Sequence, residues 1–400
     1  MTFAIQLVMH KEYDVVIVGG GPAGVTAAFV LGSQKYRVLV LDKEHFPRKK
    51  LCGGCLTAKT LWLVERVFNV SEDTLTTRNI IDFKSHRFDI RFKTKPLVTP
   101  ISPYAFRFVD RQVYDAFFLK KVKEVGVDVS EGEKVIRVRP GPDSIELETS
   151  RGRVLTAPFV IAADGANSAI RTELQREKYI SGGKWQRNLA CSVETVIPRK
   201  GNFQDFSVPI LSFGYLRYGY AWIFPNRERL VVGMGGLARL NRNLPRVFAT
   251  FLNDFNLGPL DSQKLQGFPL PFGNSLSKPY YKNLLLVGDA AGLVDPMLGE
   301  GIYQAHISGE LAALAIIDSL KNTADNRTHN TAGPAYLELL RRHLLTEFTY
   351  ARRFRRILYN PLGRLLGYRH IKLLKRHFSK LAEVVHGGRT YKWFKKITPG

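Results

Sequence analysis

The chain has 400 residues, 45% of them apolar and 24% charged, enough to bury a sizeable core and too many for one minimal domain. No apolar run reaches the roughly 18 residues of a membrane-spanning helix, and 3 cysteines, an odd number, fit a reducing cytosol better than a disulfide scaffold. The net charge of +24 is concentrated: from Tyr336 onward there are 16 Lys/Arg against 3 Asp/Glu, so the last sixth of the chain is expected to seek anionic lipid, nucleic acid or an acidic partner.

The first residues include a short apolar piece, with no basic residue before it and no small-residue cleavage site after it. It reads as a lead into a strand rather than a secretion signal. In YDVVIVGGGPAGVTAAFVLGSQKYRVLVLDKE, the β-branched run Val15 to Val18 predicts a buried parallel strand. Gly19-x-Gly21-x-x-Gly24 then predicts a tight turn, with Pro22 and Ala23 opening a helix. These glycines permit close backbone approach to a pyrophosphate, which rests on the helix N-terminus. A second strand, RVLVLD, ends on Asp42, placed to accept from a ribose, with Lys43 beside it.

Further along, a helix is expected from Asp110 to Val125, stopped by Gly126. Strands follow at KVIRVR, SIELET and RVLTAPFVIAADG, and the alternation over 188–236 predicts an antiparallel sheet. The stretch from Asn283 to Leu320 reads as a buried strand, a loop and a long helix. After the polar connector DNRTHNTAGP come two amphipathic helices. One carries Leu337, Leu340, Leu344, Phe348 and Ala351 on a single face; the other carries Ile371, Leu374, Phe378, Leu381 and Val385 and closes on Gly387-Gly388.

Four separated motifs, VVIVGGGPAG, DGANS, LLLVGDAAG and DPMLGEGI, resemble in order and spacing the FAD-dependent enzymes of the para-hydroxybenzoate hydroxylase fold. FPRKKLCGG and YAWIFP are similar to the geranylgeranyl reductase family within that group. The resemblance implies a mixed α/β (α+β) fold: a Rossmann-like FAD-binding domain from residues 11–80, 105–177 and 278–330, interleaved with an antiparallel-sheet substrate domain from 81–104 and 178–277. Residues 331–400 would form a basic helical C-terminal region. It also implies that Gly19, Gly21, Gly24 and Asp42, with Pro22, Ala23 and Lys43, hold the ADP half of FAD. Arg48 and Arg111 would contact the phosphate and ribityl region, Asp164 and Gly165 the pyrophosphate, and Gly288 and Asp289 the ribityl chain. Pro296, Gly299, Glu300, Gly301 and Ile302 would run under the flavin ring. There the glycines and the start of the long helix would favour negative charge on a reduced flavin.

Cys52 and Cys55 supply two ligands where a zinc or iron–sulfur site usually needs four, and no paired histidines are near, so no metal is expected. Two readings stand. Either both cysteines are small turn-filling residues, or Cys52, followed by Gly53, lies by the flavin and takes part in the reaction, as the family resemblance implies, with Cys55 idle. Tyr218, Tyr220, Trp222 and Phe224 alternate at strand spacing and would share one face. They line either a prenyl slot or a core. Arg217 and Asn226 depart from the family's Pro and Lys at the ends of this motif.

The resulting expectation is a flavin-dependent reductase that saturates isolated double bonds of a prenyl chain on a lipid, quinone or pigment precursor, with Cys52, Tyr220 and Trp222 at the reacting centre. Its reductant, NAD(P)H or ferredoxin, stays open. A monooxygenase or halogenase of the same fold is the rival; a basic binding protein that holds FAD without catalysis is the rival of another class, although no nucleic-acid motif is present. The basic tail is expected to hold the protein on an anionic membrane surface from the cytoplasmic side, unless its helices pack on the protein instead.

Overall fold

Val15–Val18 can be a β-branched run without alternation because both faces of that strand are covered: all four residues are buried. It lies between Val38–Asp42 and Phe159–Ala162, with Asp128–Glu131 and Leu284–Leu286 beyond them, all parallel, and a short antiparallel edge, Tyr280–Tyr281. The computed structural model describes residues 13–183, 185–259, 265–324, 332–359 and 378–396. The mixed α/β fold with its Rossmann-type sheet is as expected. Helix Arg111–Glu124 has Asp110 as its N-cap, the carboxylate accepting from Gln112 N–H at 2.8 Å.

Three helices are joined under the sheet by His306, fully buried on the long helix Ile302–Ala324. Thr26 Oγ1 donates to Pro22 O, so the imidazole donates from Nδ1 to Thr26 at 2.7 Å and accepts at Nε2 from Tyr114 Oη at 2.9 Å. Burial lowers this ring to about 3 and keeps it neutral.

A seven-stranded sheet is built from Ala190–Pro198, Ile210–Phe213, Gly219–Pro225, Arg229–Leu237 and Gln266–Leu270, with Asp89–Phe92 and Lys95–Val98 added at one edge. Every pairing is antiparallel except Ile210–Phe213 with Asp89–Phe92. One face carries Val193, Ala221, Ile223, Val232 and Met234 and packs under helix Leu244–Asp254. The other faces a cavity. Segment 81–104 is shared between sheets: Ile101–Val109 pairs with Ile81–Arg87 on one side and Cys55–Leu56 on the other in a small separate sheet.

The C-terminal region turns inward. Leu337, Leu340, Leu344, Phe348 and Ala351 are all buried, on Ala332–Leu340, a π-turn at Arg341–Leu345, and Thr346–Tyr359. Tyr336 Oη donates to Leu286 O of the central sheet. Arg355 donates to Phe272 O at 2.9 Å and lies over the Phe272 ring, so its charge is not offered to an outside surface. In helix Phe378–His386, Leu381, Ala382 and Val385 line the cavity; Ile371 and Leu374 lie outside the described residues.

His386 fastens that last helix. Its Nδ1 accepts from Ala58 N–H at 3.0 Å, the first amide of helix Ala58–Phe68, whose N-cap Thr57 makes no side-chain cap. Burial, with Arg107 and Lys59 nearby, lowers the ring to about 3. The folded value lies below the unfolded one of about 6.5, so docking is at full strength above that pH. It weakens as pH falls toward 3, by about 1.4 kcal/mol per unit. Acidification should therefore loosen the docking of Phe378–His386. Limited proteolysis should cut this helix faster at mildly acidic than at neutral pH; equal rates would contradict the linkage.

Candidate active site

The turn after the first strand is held by backbone contacts that leave no room for side chains. Gly19 has φ +112, and a Cβ there would stand 2.3 Å from Ala163 O; one at Gly24 would stand 1.8 Å from Gly19 O. Gly21 differs, because its missing side chain points into open space, with only Arg48 Nη2 at 3.5 Å. Gly21 is also the N-cap of Pro22–Ser33, with no side-chain cap and no acid in the first turn, so the helix dipole and free amides face the cavity. Asp42 is buried and accepts from Gly20 N–H at 2.7 Å and Glu44 N–H at 2.9 Å. It shapes the turn as well as lining the cavity, whereas Lys43 is exposed at the rim.

Beyond the turn stands a set of cations. Arg111 is buried and pairs with fully buried Asp115 through two bonds of 2.8 Å. Arg48 reaches the same carboxylate at 3.2 Å. Lys50, which the sequence did not single out, lies 3.5 Å from the centre of the Phe268 ring. Burial lowers its ammonium to about 8, opposed by Asp289 and assisted by Arg111 and Arg48. Burial raises the carboxyls of Asp164 and Asp289. Asp164 Oδ1 has no partner, and Gly165, at φ +79, leaves the space before it open.

Gly19, Gly21, Asp42, the three cations, Asp164 and Asp289 border one cavity of about 1400 Å³. A single small-molecule pocket usually measures about 300–1,000 Å³, so there is room for a second ligand beside a cofactor. The second arm is walled by the seven-stranded sheet. Glu194, Gly233 and Trp222 stand in register on adjacent strands, and Leu211 and Ile90 continue the row. Phe268, Ser192, Gly235 and Tyr220 form the next row. Gly233 is needed here because a Cβ would lie 2.5 Å from Trp222 Cζ2; its absence lets the indole lie across the strand. Phe88, Phe106, Met297, Phe354, Tyr359 and Val385 complete the apolar wall.

The other sequence candidates divide. Tyr220, Trp222 and Phe224 line the cavity, but Tyr218 does not. It precedes the strand Gly219–Pro225 with φ +51, which breaks the two-residue period, and it stacks on Tyr359 instead. Tyr220 Oη donates to Leu298 O, tying the sheet to the Pro296–Ile302 loop. In that loop Gly299, Glu300, Gly301 and Ile302 border the cavity and Pro296 does not. The Glu300 carboxylate is taken by Lys59 at 2.5 Å and Thr57 at 2.7 Å. Asp295 anchors the loop, accepting from Met297 and Leu298 N–H at 2.8 Å and from Tyr391 Oη at 3.1 Å. Gly288 also borders the cavity.

Cys52 and Gly53 sit where the two arms meet. A Cβ on Gly53 would stand 2.7 Å from the Phe224 ring. The Cys52 N–H donates to Glu194 Oε1 at 3.3 Å, and its Sγ accepts from Gly54 N–H. Cys55 pairs with Phe108 in the small sheet, and burial pushes its thiol up.

The family assigned to FAD binding domains matches residues 12–197. An uncharacterised protein of Methanosarcina barkeri is 33% identical over 320 residues, covering 79% of this chain and 77% of its own. The geranylgeranyl diphosphate reductase of Rhodobacter capsulatus is 28% identical over 325 residues, covering 78% and 76%. The chain belongs to the geranylgeranyl reductase family of FAD-dependent oxidoreductases. A geranylgeranyl bacteriochlorophyll reductase-like protein of Thermoplasma acidophilum shares the enzyme's fold, with a TM-score of 0.73 at 20% identity over 94% of this chain and 92% of that one. So does a mutant of the halogenase PltM in complex with FAD, at 0.69 and 18% over 97% and 86%.

FAD is the enzyme's cofactor, and the first arm fits it by its own chemistry. An anionic pyrophosphate suits the uncapped helix, Arg48 and the open side of Gly21. The partnerless Asp164 oxygen is an acceptor awaiting a hydroxyl. Arg111 and Lys50 supply positive charge where the arms join.

Proposed function

We propose that the enzyme saturates isolated double bonds of a prenyl chain carried by a lipid, quinone or pigment precursor. The observation that carries this reading is the apolar second arm, walled by Trp222, Phe224, Phe88 and Phe106 and continuous with the glycine-lined first arm. When bound, FAD would supply the two-electron chemistry of hydride delivery. The chain's residues do the rest. The glycine turn, Arg48 and Arg111 hold the cofactor. The aromatic wall fixes which alkene meets it, and the C-terminal helix excludes water from an unpolarised bond whose reduction depends on placement. Cys52 lines the cavity at the junction of the arms, where it would take part in the reaction.

Photoreduction of the flavin without oxygen, followed by a panel of prenyl lipids, tests the reading. Mass spectrometry should show products heavier by two hydrogens per bond reduced, with the flavin reoxidised in proportion. Turnover that requires oxygen, with a hydroxylated or halogenated product, would make the enzyme a monooxygenase or halogenase instead. The same assay with NAD(P)H or reduced ferredoxin identifies the donor.

We infer further that the substrate is drawn from an anionic membrane at the outer end of the second arm. Among the described residues no helix is long and apolar enough to cross a membrane. Phe92, which lines the arm, is 41% exposed, and Ile101, Tyr104 and Trp62 are exposed on the adjoining surface, Tyr104 edge-on to Trp62. Lys93 and Lys95 are exposed beside Phe92. Inserted apolar side chains with lysines at the rim suit an anionic interface. Ile101→Glu should cut sedimentation with anionic liposomes at least about tenfold while leaving flavin content unchanged, given the cost of placing a charge among acyl chains. Undiminished sedimentation would move the contact elsewhere.

A further inference from the structure

Glu194 is a carboxyl group with no structural duty that accounts for it. It sits on the second strand of the seven-stranded sheet, in register with Gly233 on one side and Gln266 of the edge strand on the other, and its side chain points into the cavity rather than to the apolar face. It is 6% exposed. Oε1 accepts only the long 3.3 Å bond from the Cys52 amide, and Oε2 has no hydrogen-bond partner. The indole Nε1–H of Trp222 is close enough to favour its charge, yet it too lacks a partner in hydrogen-bond geometry. A buried, half-satisfied acid costs stability, so its position calls for a chemical role.

We propose that Glu194 is the proton donor of the reaction, a catalytic residue that touches the prenyl alkene beside Cys52 at the junction of the two arms. This rests on the reductase reading. The balance is simple. The alkene π bond breaks, one carbon takes the hydride that the cofactor supplies, and the other takes the proton of Glu194. The carboxylate left behind is reprotonated by water, so the acid is restored each turnover. An isolated alkene offers no heteroatom to polarise, so an acid must stand at the second carbon in its neutral form.

The surroundings keep it neutral. Burial pushes the carboxyl up to about 7, against smaller opposing pulls from the Cys52 amide, Trp222 and Arg229. The charged or titratable groups around it are few. From the loop comes the Cys52 thiol. From the neighbouring strand comes Arg229, paired with Asp110 at 2.7 Å. Over the outer strand stands Lys50, on the Phe268 ring. None forms an ion pair with Glu194. Glu194→Gln keeps the shape and the acceptor and removes only the acid.

The test uses flavin-loaded enzyme, photoreduced without oxygen and mixed with a prenyl lipid that the wild type saturates. Glu194→Gln should retain stoichiometric FAD and normal photoreduction, yet reduce the alkene roughly a hundredfold more slowly. Wild-type single-turnover rates should fall as pH rises through about 7, and the variant's slow rate should be flat there. Glu194→Asp, which keeps the acid on a shorter arm, should restore part of the rate and the pH dependence. Independently of turnover, infrared difference spectra of the holoenzyme should show a protonated carboxyl that titrates near 7 and is missing in Glu194→Gln. Wild-type-like rates in Glu194→Gln, or a carboxyl already ionised in the ordinary range, would overturn the assignment and leave the reductase reading standing. Failure of the wild type to saturate any prenyl chain would overturn both.

Discussion

Gly21→Trp is expected to give a folded, colourless protein. The Gly21 Cβ direction is open except for Arg48 Nη2 at 3.5 Å, so an indole would enter the cavity without displacing the core. It would occupy the ground over the uncapped helix N-terminus where a pyrophosphate rests. One such clash costs about 3 kcal/mol, or at least about a hundredfold in FAD affinity. Gly24→Val is the contrasting change. Its Cβ would stand 1.8 Å from Gly19 O, so the turn itself must open, and both flavin and stability should be lost. Absorbance after gel filtration reads the first effect and thermal unfolding the second. A yellow Gly21→Trp protein with stoichiometric flavin would remove the glycine turn from the cofactor site.

The turn was readable because its causes are local: a strand without alternation, three glycines at fixed spacing and an acid at the end of the next strand fall within 32 residues, Tyr13 to Glu44. The second arm was readable only along one strand. Trp222 and Tyr220 followed from their period, but Glu194 and Gly233 gain their meaning from cross-strand register, which no spacing along the chain reveals. Tyr218 left the pattern because its left-handed backbone keeps the strand from starting before Gly219. The C-terminal helices were identified by their apolar faces, yet an apolar stripe does not state what it will meet. Here Leu340, Leu344 and Phe348 meet the central core, and Leu381 and Val385 meet the cavity. Removing everything from Tyr336 onward would therefore dismantle the protein rather than detach an anchor, since it takes out the Tyr336 bond to Leu286 O along with Leu340, Leu344 and Phe348 of the central core.

Trp222→Ala should change which double bond is reduced. The indole crosses the space left by Gly233 and stands between Tyr220 and Phe224, at centroid distances of 6.1 and 6.2 Å, opposite Cys52 and Gly53. Its removal opens a void beside the junction of the arms, into which a flexible chain can slide by an isoprene unit. The alkene held at that junction then differs from the one the wild type presents. Misplacement of this order costs roughly a hundredfold in rate at the original bond. Trp222 is only half-buried, so the stability lost should be less than the about 3–5 kcal/mol of a fully buried Trp→Ala change. Phe248→Ala is the control. Phe248 is fully buried on helix Leu244–Asp254, which packs on the opposite face of the same sheet, and it touches neither arm. It should lose more stability than Trp222→Ala and keep the wild-type product pattern per flavin-loaded molecule. Fragmentation of the lipid products locates each saturated unit. If both variants give the wild-type pattern and differ only in stability, Trp222 is a packing residue and the chain is positioned by the opposite wall, Phe106, Met297 and Val385.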